Sequence, residues 1–445
     1  MITKTLSRKF IKPCNPTPNN RKCYKISLLD EMSPSMNVAV ILFYPKPPGN
    51  LHFLEESLRR ILVKFYPLAG RYMKQNQTVD CNDEGAEFVE ARADHHGLHE
   101  FIKVAADCGH LLHDLLPCDS GAVDQITDPL LSIQVTEFGC GGVSVAVCVS
   151  HRVFDASSLS TFVAALAADH AALTTNLTTR DNVAENIINP SFDSVTLWPG
   201  RNLASMDREP SRKRDPAFVT KRISFNKDAI KRLKDKMNGN GTAINRAVSR
   251  VRVVCAFLAT VLTRIDRANE DEKGSRDYIV AQAVNVRGRT IPPIKKHSCG
   301  NLVAQAFVLC LGASDEARSM KFEDYVNLLG DATKKTVSDC GEIFAKGDEG
   351  GYDVIVDPKV KVVKRIKGGQ VHVLWFSDWS KFGFYEVDFG WGKPVWCSVG
   401  SPAADNLVIL MDNKEGDGIE ACVHLHQKFM DCFEQQQEIK LLVDI

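Results

Sequence analysis

Four things are missing from this 445-residue chain, and each absence removes a class of function or fold. The first is net charge: 55 Lys plus Arg stand against 55 Asp plus Glu. A chain without a global field has no long-range attraction for nucleic acid or an anionic membrane surface, so an anionic ligand must be held by a local cluster of cations. The second is a long apolar run. No stretch approaches the ~18 residues that span a bilayer, and the opening Met1-Ile-Thr-Lys-Thr-Leu-Ser-Arg-Lys9 interrupts every short apolar stretch with charge, unlike a secretory signal core. The third is any Cys-x-x-Cys pair, which speaks against a zinc ribbon or a dithiol redox site, and no metal is expected. With no secretory route in view, the 14 cysteines read as reduced thiols of a cytoplasmic protein, mostly serving as small buried hydrophobes. A repeat of 20–50 residues is missing too, which removes solenoids and propellers.

What is present is ordinary globular composition. At 44% hydrophobic and 25% charged, the chain can build a large core, and its length suits two or three domains. Elements of helical and strand period alternate, which predicts a mixed α/β protein. A helix is expected over 53–66, with Leu54, Leu58, Ile61, Leu62 and Phe65 on one stripe, stopped by Pro67. The clearest strand covers 142–151, where Val143, Val145, Val147, Val149 and His151 share a face by period two. Asp155 can then cap a helix over 156–170. Residues 199–216, rich in Arg, Pro, Asp and Ser without apolar period, read as a linker between two halves. Beyond it, helices are expected at 226–237 and from 249 to about 264. Strands are expected at 278–286, 406–411 and 418–424.

Two stretches carry chemistry. His151-Arg152-Val153-Phe154-Asp155 puts an imidazole at the end of an apolar strand, in phase with the valines and so turned inward. A half-buried neutral imidazole suits general-base work. The plainer reading is a core histidine followed by a helix cap, and spacing alone leaves both open. Tyr385-Glu-Val-Asp-Phe-Gly-Trp-Gly-Lys-Pro394 alternates glycine with aromatics and ends in proline. That excludes a helix or a central strand and predicts a tight packed loop in which Asp388 ties a cation or backbone N–H groups.

Together, and in this order, the two stretches resemble the BAHD acyltransferase family of plants, which carries His-x-x-x-Asp centrally and Asp-Phe-Gly-Trp-Gly near its C-terminus. Phe65-Tyr-Pro-Leu-Ala-Gly-Arg71, Val79-Asp-Cys-Asn-Asp-Glu-Gly85, Cys140-Gly-Gly142, Gln282-Ala-Val-Asn-Val-Arg287, Gly300-Asn301 and Gly416-Asp-Gly-Ile-Glu420 look like further family landmarks. The opening Ile11-Lys-Pro-Cys-Asn-Pro-Thr-Pro18 and Tyr24-Lys-Ile-Ser-Leu-Leu-Asp30 are similar to its alkaloid O-acetyltransferase branch.

The resemblance implies two chloramphenicol-acetyltransferase-like domains, each a mixed β-sheet with helices, with a solvent channel between them. It places the N-terminal domain at 1–198, a crossover linker at 199–220 and the C-terminal domain at 221–445, with a segment near 370–385 crossing back. It implies an acyl-CoA co-substrate, acetyl-CoA by branch, and a small-molecule alcohol acceptor such as a polycyclic alkaloid or terpenoid. It implies no permanently bound cofactor and a monomer. His151 would take the acceptor's proton in a ternary complex, and Ser377 and Trp379 would donate to the oxyanion. Asp155 would be structural, paired with Arg287, and Asp388, Phe389, Gly390, Trp391 and Gly392 would be structural as well. Ser249, with Arg246 or Arg250, would meet the CoA phosphates. Phe154 and Asp378 depart from the family pattern, which has Ala and Ser there. Phe154 must either fill a gap or narrow the acceptor side, and it is assigned to the substrate pocket. An inactive ligand-binding member and an N-acyltransferase remain alternatives, since a general base serves an amine as well as an alcohol.

Overall fold

In the computed structural model the described residues are 3–45, 52–94, 97–107, 109–121, 124–174, 188–203, 215–238, 248–268, 277–290, 293–310, 320–346, 353–369, 371–400, 402 and 404–442. They form two compact units. The first comprises Met1–Arg214, Lys295–Leu302 and Phe382–Ala403, and the second Asp215–Ile294, Val303–Lys381 and Ala404–Ile445. Two pieces of the later chain thus belong to the first unit. The expected return segment near 370–385 is corrected on this point. Residues Val371–Asp378 are an inner strand of the second sheet, and the return starts at Phe382. The expected linker falls largely outside the described residues.

The first unit holds a mixed six-stranded sheet in the order Lys4–Ile11, Ala86–Ala93, Leu131–Phe138, Val143–Ser150, Asn37–Tyr44, Trp396–Val399. Only the pairing of Ala86–Ala93 with Leu131–Phe138 is parallel. Val143–Ser150 and Asn37–Tyr44 are buried along their whole length. Alternation along Val143–Ser150 is of large with small residues, and both of its faces are covered. Its valines pack while Ser144, Ala146 and Cys148 admit close neighbours. The His52–Lys64 helix packs on Ala156–Thr174, which runs four residues beyond the expected end.

The second unit repeats the scheme with the order Val303–Cys310, Asp277–Asn285, Val371–Asp378, Leu407–Asp412, Ile419–His426, Phe218–Phe225. Here the two pairings of Val371–Asp378 are parallel. The helix Arg250–Ala268 carries Val254, Leu258, Val261 and Leu262 into the core, where they meet Val280, Val408 and Val423 of the sheet. Among the described residues no helix is long and apolar enough to cross a membrane, and no group of three His, Cys, Asp or Glu is placed to hold a metal ion.

Candidate active site

A central strand is a rigid mount, and His151 follows directly on Val143–Ser150. Its backbone N–H donates to Met36 O at 2.8 Å, which extends the pairing with Asn37–Tyr44 by one step. The chain then turns sharply, with Val153 and Phe154 N–H both donating to Ser150 O at 3.1 Å. Arg152 is buried and holds the turn from beneath: Nη1 donates to Ser33 O at 2.7 Å, and Nε meets Asp124 at 3.1 Å. His151 itself is half-buried.

Its partner arrives from 150 residues away. Gly300 turns the segment Lys295–Leu302 at φ +127°, and a Cβ there would lie 2.8 Å from Ser194 Oγ, so both conformation and space demand glycine. The next three backbone groups are each fastened by a buried side chain. Gly300 N–H donates to Ser158 Oγ at 3.1 Å, Asn301 N–H to Asp30 Oδ1 at 2.7 Å, and Leu302 N–H to Asp155 Oδ2 at 3.0 Å. Asp155 Oδ1 also accepts from Ser158 N–H at 2.7 Å, which makes it the expected cap of the Ala156–Thr174 helix.

Asn301 is thereby set against His151. Its Nδ2 donates to His151 O at 2.7 Å and to Asp30 Oδ1 at 2.9 Å, and its Oδ1 lies 2.8 Å from His151 Nδ1. With both amide hydrogens given to acceptors, the amide oxygen faces Nδ1. That nitrogen therefore carries the hydrogen, and Nε2 is the basic one. Asp30 is fully buried, and its Oδ2 accepts from Ser27 N–H at 2.8 Å and from Ser27 O–H at 2.7 Å. Burial pushes its carboxyl up to about 6, against the hydrogen bonds from Ser27 and Asn301 that favour the charged form.

The aromatic–glycine loop belongs to the same unit and is built as a clasp. Asp388 is exposed, and its Oδ1 accepts from Gly390 N–H at 2.7 Å and Gly392 N–H at 2.9 Å, with both glycines at positive φ. Phe389 is fully buried and stacks on Trp391 with centroids 5.1 Å apart. His170 Nδ1 donates to Phe389 O at 2.6 Å, and Tyr44 O–H donates to Val387 O at 3.0 Å. The clasp leads into Trp396–Val399, which pairs with the Asn37–Tyr44 strand.

Phe154 requires a correction. It is 1% exposed and packs among Phe65 and Phe192, each with ring centroids 6.4 Å away. The ring fills a gap in an aromatic core, so the substrate-pocket assignment is withdrawn. Phe154→Leu is expected to destabilise the protein by ~1–2 kcal/mol through lost packing. Relative kcat/KM across a panel of alcohols should stay unchanged, which thermal unfolding and steady-state assays will check together.

The other expected residues lie in the second unit. Ser377 is the next-to-last residue of the Val371–Asp378 strand, and Trp379 Nε1 donates to Ser377 Oγ at 3.0 Å, so these two side chains form one hydrogen-bonded pair. Asp378 Oδ1 accepts from Ser380 N–H at 2.9 Å. Ser249 caps the Arg250–Ala268 helix by accepting from Arg252 N–H at 3.2 Å. Arg250 pairs with Asp412 and donates to Gly416 O at 2.5 Å, which ties down the turn before Ile419–His426. Arg287 Nη1 donates to Asn285 Oδ1 at 3.2 Å. Arg246 lies outside the described residues.

Sequence reasoning gave Asn301 and Asp30 no chemistry. Asp30 entered only as the end of the Tyr24–Asp30 stretch and Asn301 only in the Gly300-Asn301 landmark, and nothing local says that they meet.

Comparison with known proteins now bears on this arrangement. A family model described as the Transferase family matches residues 1–440. A pelargonidin 3-O-(6-caffeoylglucoside) 5-O-(6-O-malonylglucoside) 4'''-malonyltransferase from Salvia splendens is 41% identical over 445 residues, covering 100% of both chains. Vinorine synthase from Rauvolfia serpentina is 33% identical over 94% of this chain and 92% of its own. The crystal structure of vinorine synthase superposes with a TM-score of 0.78 at 30% identity, covering 99% of this chain and 98% of that one. A Fusarium graminearum TRI101 structure with coenzyme A and T-2 mycotoxin, at 15% identity and a TM-score of 0.67 over 95% of this chain and 99% of its own, shares the fold.

Proposed function

Because the chain belongs to this Transferase family, the BAHD acyl-CoA-dependent acyltransferases, we propose that it transfers an acetyl group from acetyl-CoA to a hydroxyl of a polycyclic specialised metabolite, with His151 as general base. The observation that carries the catalytic part is the His151 Nδ1–Asn301 Oδ1 contact of 2.8 Å, which assigns the lone pair to Nε2. In this reading Nε2 takes the hydroxyl proton as the alcohol oxygen attacks the thioester carbon. The tetrahedral oxyanion collapses with cleavage of the C–S bond, and the imidazolium returns the proton to the departing thiolate. No acyl-enzyme forms, and bringing both substrates together supplies much of the rate. Ser377, steadied by Trp379, is the proposed hydroxyl donor to the oxyanion. Ser249 and the first N–H groups of its helix are the proposed phosphate contact.

The acetyl donor is supported by the alkaloid-acetylating relatives, among them stemmadenine O-acetyltransferase from Catharanthus roseus at 32% identity. A malonyl donor and a flavonoid glycoside acceptor are the second reading, supported by the 41% identity to the Salvia enzyme. The test is thiol release by the purified full-length chain from acetyl-CoA and, separately, malonyl-CoA. Each is offered polycyclic alcohols, anthocyanin glucosides and amines. Alcohol-dependent release from acetyl-CoA supports the first reading, and release from malonyl-CoA alone supports the second. Turnover of amines only, or of nothing, overturns both.

A further inference from the structure

We propose that Asp30 is a positioning residue for catalysis: its carboxylate fixes which end of the Asn301 amide faces His151, and thereby which imidazole nitrogen is the base. This rests on the reading of His151 as the base.

The two ends of a primary amide are nearly the same size, so shape alone does not orient Asn301. Hydrogen-bond polarity does. With the NH₂ end toward Nδ1, that nitrogen would have to accept, the hydrogen would move to Nε2, and the ring would offer the substrate an N–H where a base is needed. Two acceptors stand against this inversion. One is the carbonyl oxygen of His151 at 2.7 Å, and the other is Asp30 Oδ1 at 2.9 Å. Inverting the amide would set its oxygen against both. The encounter with an ionised carboxylate in a fully buried place is the costlier one, because burial removes the bulk solvent that would screen it.

Asp30 is also more than a helix cap. Leu28–Glu31 is a single turn, and its cap is completed by Ser27 working on Oδ2. Oδ1 contributes nothing to that cap. Among the described residues it accepts from Asn301 alone, from the backbone N–H at 2.7 Å and from the side-chain amide at 2.9 Å. One oxygen of the carboxylate serves the turn, and the other serves the catalytic pair.

The test separates these two duties. Full-length protein labelled with ¹⁵N-histidine reports the tautomer directly from the ring-nitrogen shifts, and His151→Gln identifies the His151 signals. In the unaltered protein Nδ1 should be the protonated, pyrrole-like nitrogen. In Asp30→Asn the His151 signals should move toward the other tautomer or average between the two. Its kcat should fall by about ten-fold or more with KM for acyl-CoA little changed. Ser27→Ala, which strips only the Oδ2 side, should lower the unfolding midpoint but keep the tautomer and kcat. Should Asp30→Asn not fold, Asp30→Ser replaces the acceptor-only group by a hydroxyl that can donate or accept, and mixed tautomers are again expected. Retention of the original tautomer in the Asp30 variants overturns the proposal, as does an equal shift in Ser27→Ala. Because the tautomer is read without substrate, its outcome stands apart from whether any alcohol is acylated.

Discussion

Replacing His151 with alanine is expected to reduce kcat by about 10²–10⁴-fold, the range spanned by a positioned general base, while stability falls by no more than ~1–3 kcal/mol for the Asn301 Oδ1 left without its partner. The residue is half-buried, so removal of its ring opens no large cavity. The backbone N–H to Met36 O survives the substitution, and the strand end stays where it is. Coenzyme release dependent on an added alcohol should disappear, and KM for the donor should stay within a few-fold. Retention of most of the turnover by His151→Ala would remove the imidazole from the chemistry.

Asp155→Ala should act in the opposite manner, through the scaffold. The carboxylate is 2% exposed and accepts from two backbone N–H groups on different segments, Ser158 at 2.7 Å and Leu302 at 3.0 Å. Removing it strands both donors. At ~1–3 kcal/mol for each buried unsatisfied group, with the loss of the helix cap included, the variant should be destabilised by ~2–5 kcal/mol. Denaturant unfolding followed by tryptophan fluorescence measures this. Activity should fall too, because Leu302 adjoins Asn301 and the histidine loses its fixed partner. Asp155→Asn should suffer about half the loss, since its amide oxygen can still serve one of the two donors. Equal stability of Asp155→Ala and the parent chain would show that the two contacts do not hold the scaffold.

The paired motifs illustrate what a sequence can and cannot convey. The strand before His151 was legible because valine at every second position is a strong local signal, and the helix after Asp155 because a cap precedes an apolar stripe. The loop of Asp388 was legible because two glycines among aromatics exclude regular structure. The hydrogen-bonded group of Asp30, Asn301, Asp155 and Ser158 was not, since its members are separated by up to 271 residues and none belongs to a periodic pattern. Phe154 failed for a related reason. Chemistry allowed it to fill space or to narrow a passage, and only the positions of Phe65 and Phe192 decide between them. The return of the late chain was expected but misplaced. The strand Val371–Asp378 looks the same from its sequence whichever sheet receives it.

The composition of the first unit has a consequence for how the protein comes into being. When residue 214 leaves the ribosome, most of that unit's polypeptide exists, but the two later segments it needs do not. The strand Asn37–Tyr44 then lacks its neighbour Trp396–Val399 and stands as an open sheet edge, apolar from Val38 to Phe43. Asp30, Asp155 and Ser158 wait as buried-type polar groups without the segment Lys295–Leu302 that they fasten. Synthesis therefore passes through a long interval with an adhesive half-finished sheet, a condition that calls for chaperone cover. Formation of the His151–Asn301 contact is withheld until Lys295–Leu302 has been made, so no fragment ending before Asn301 carries it.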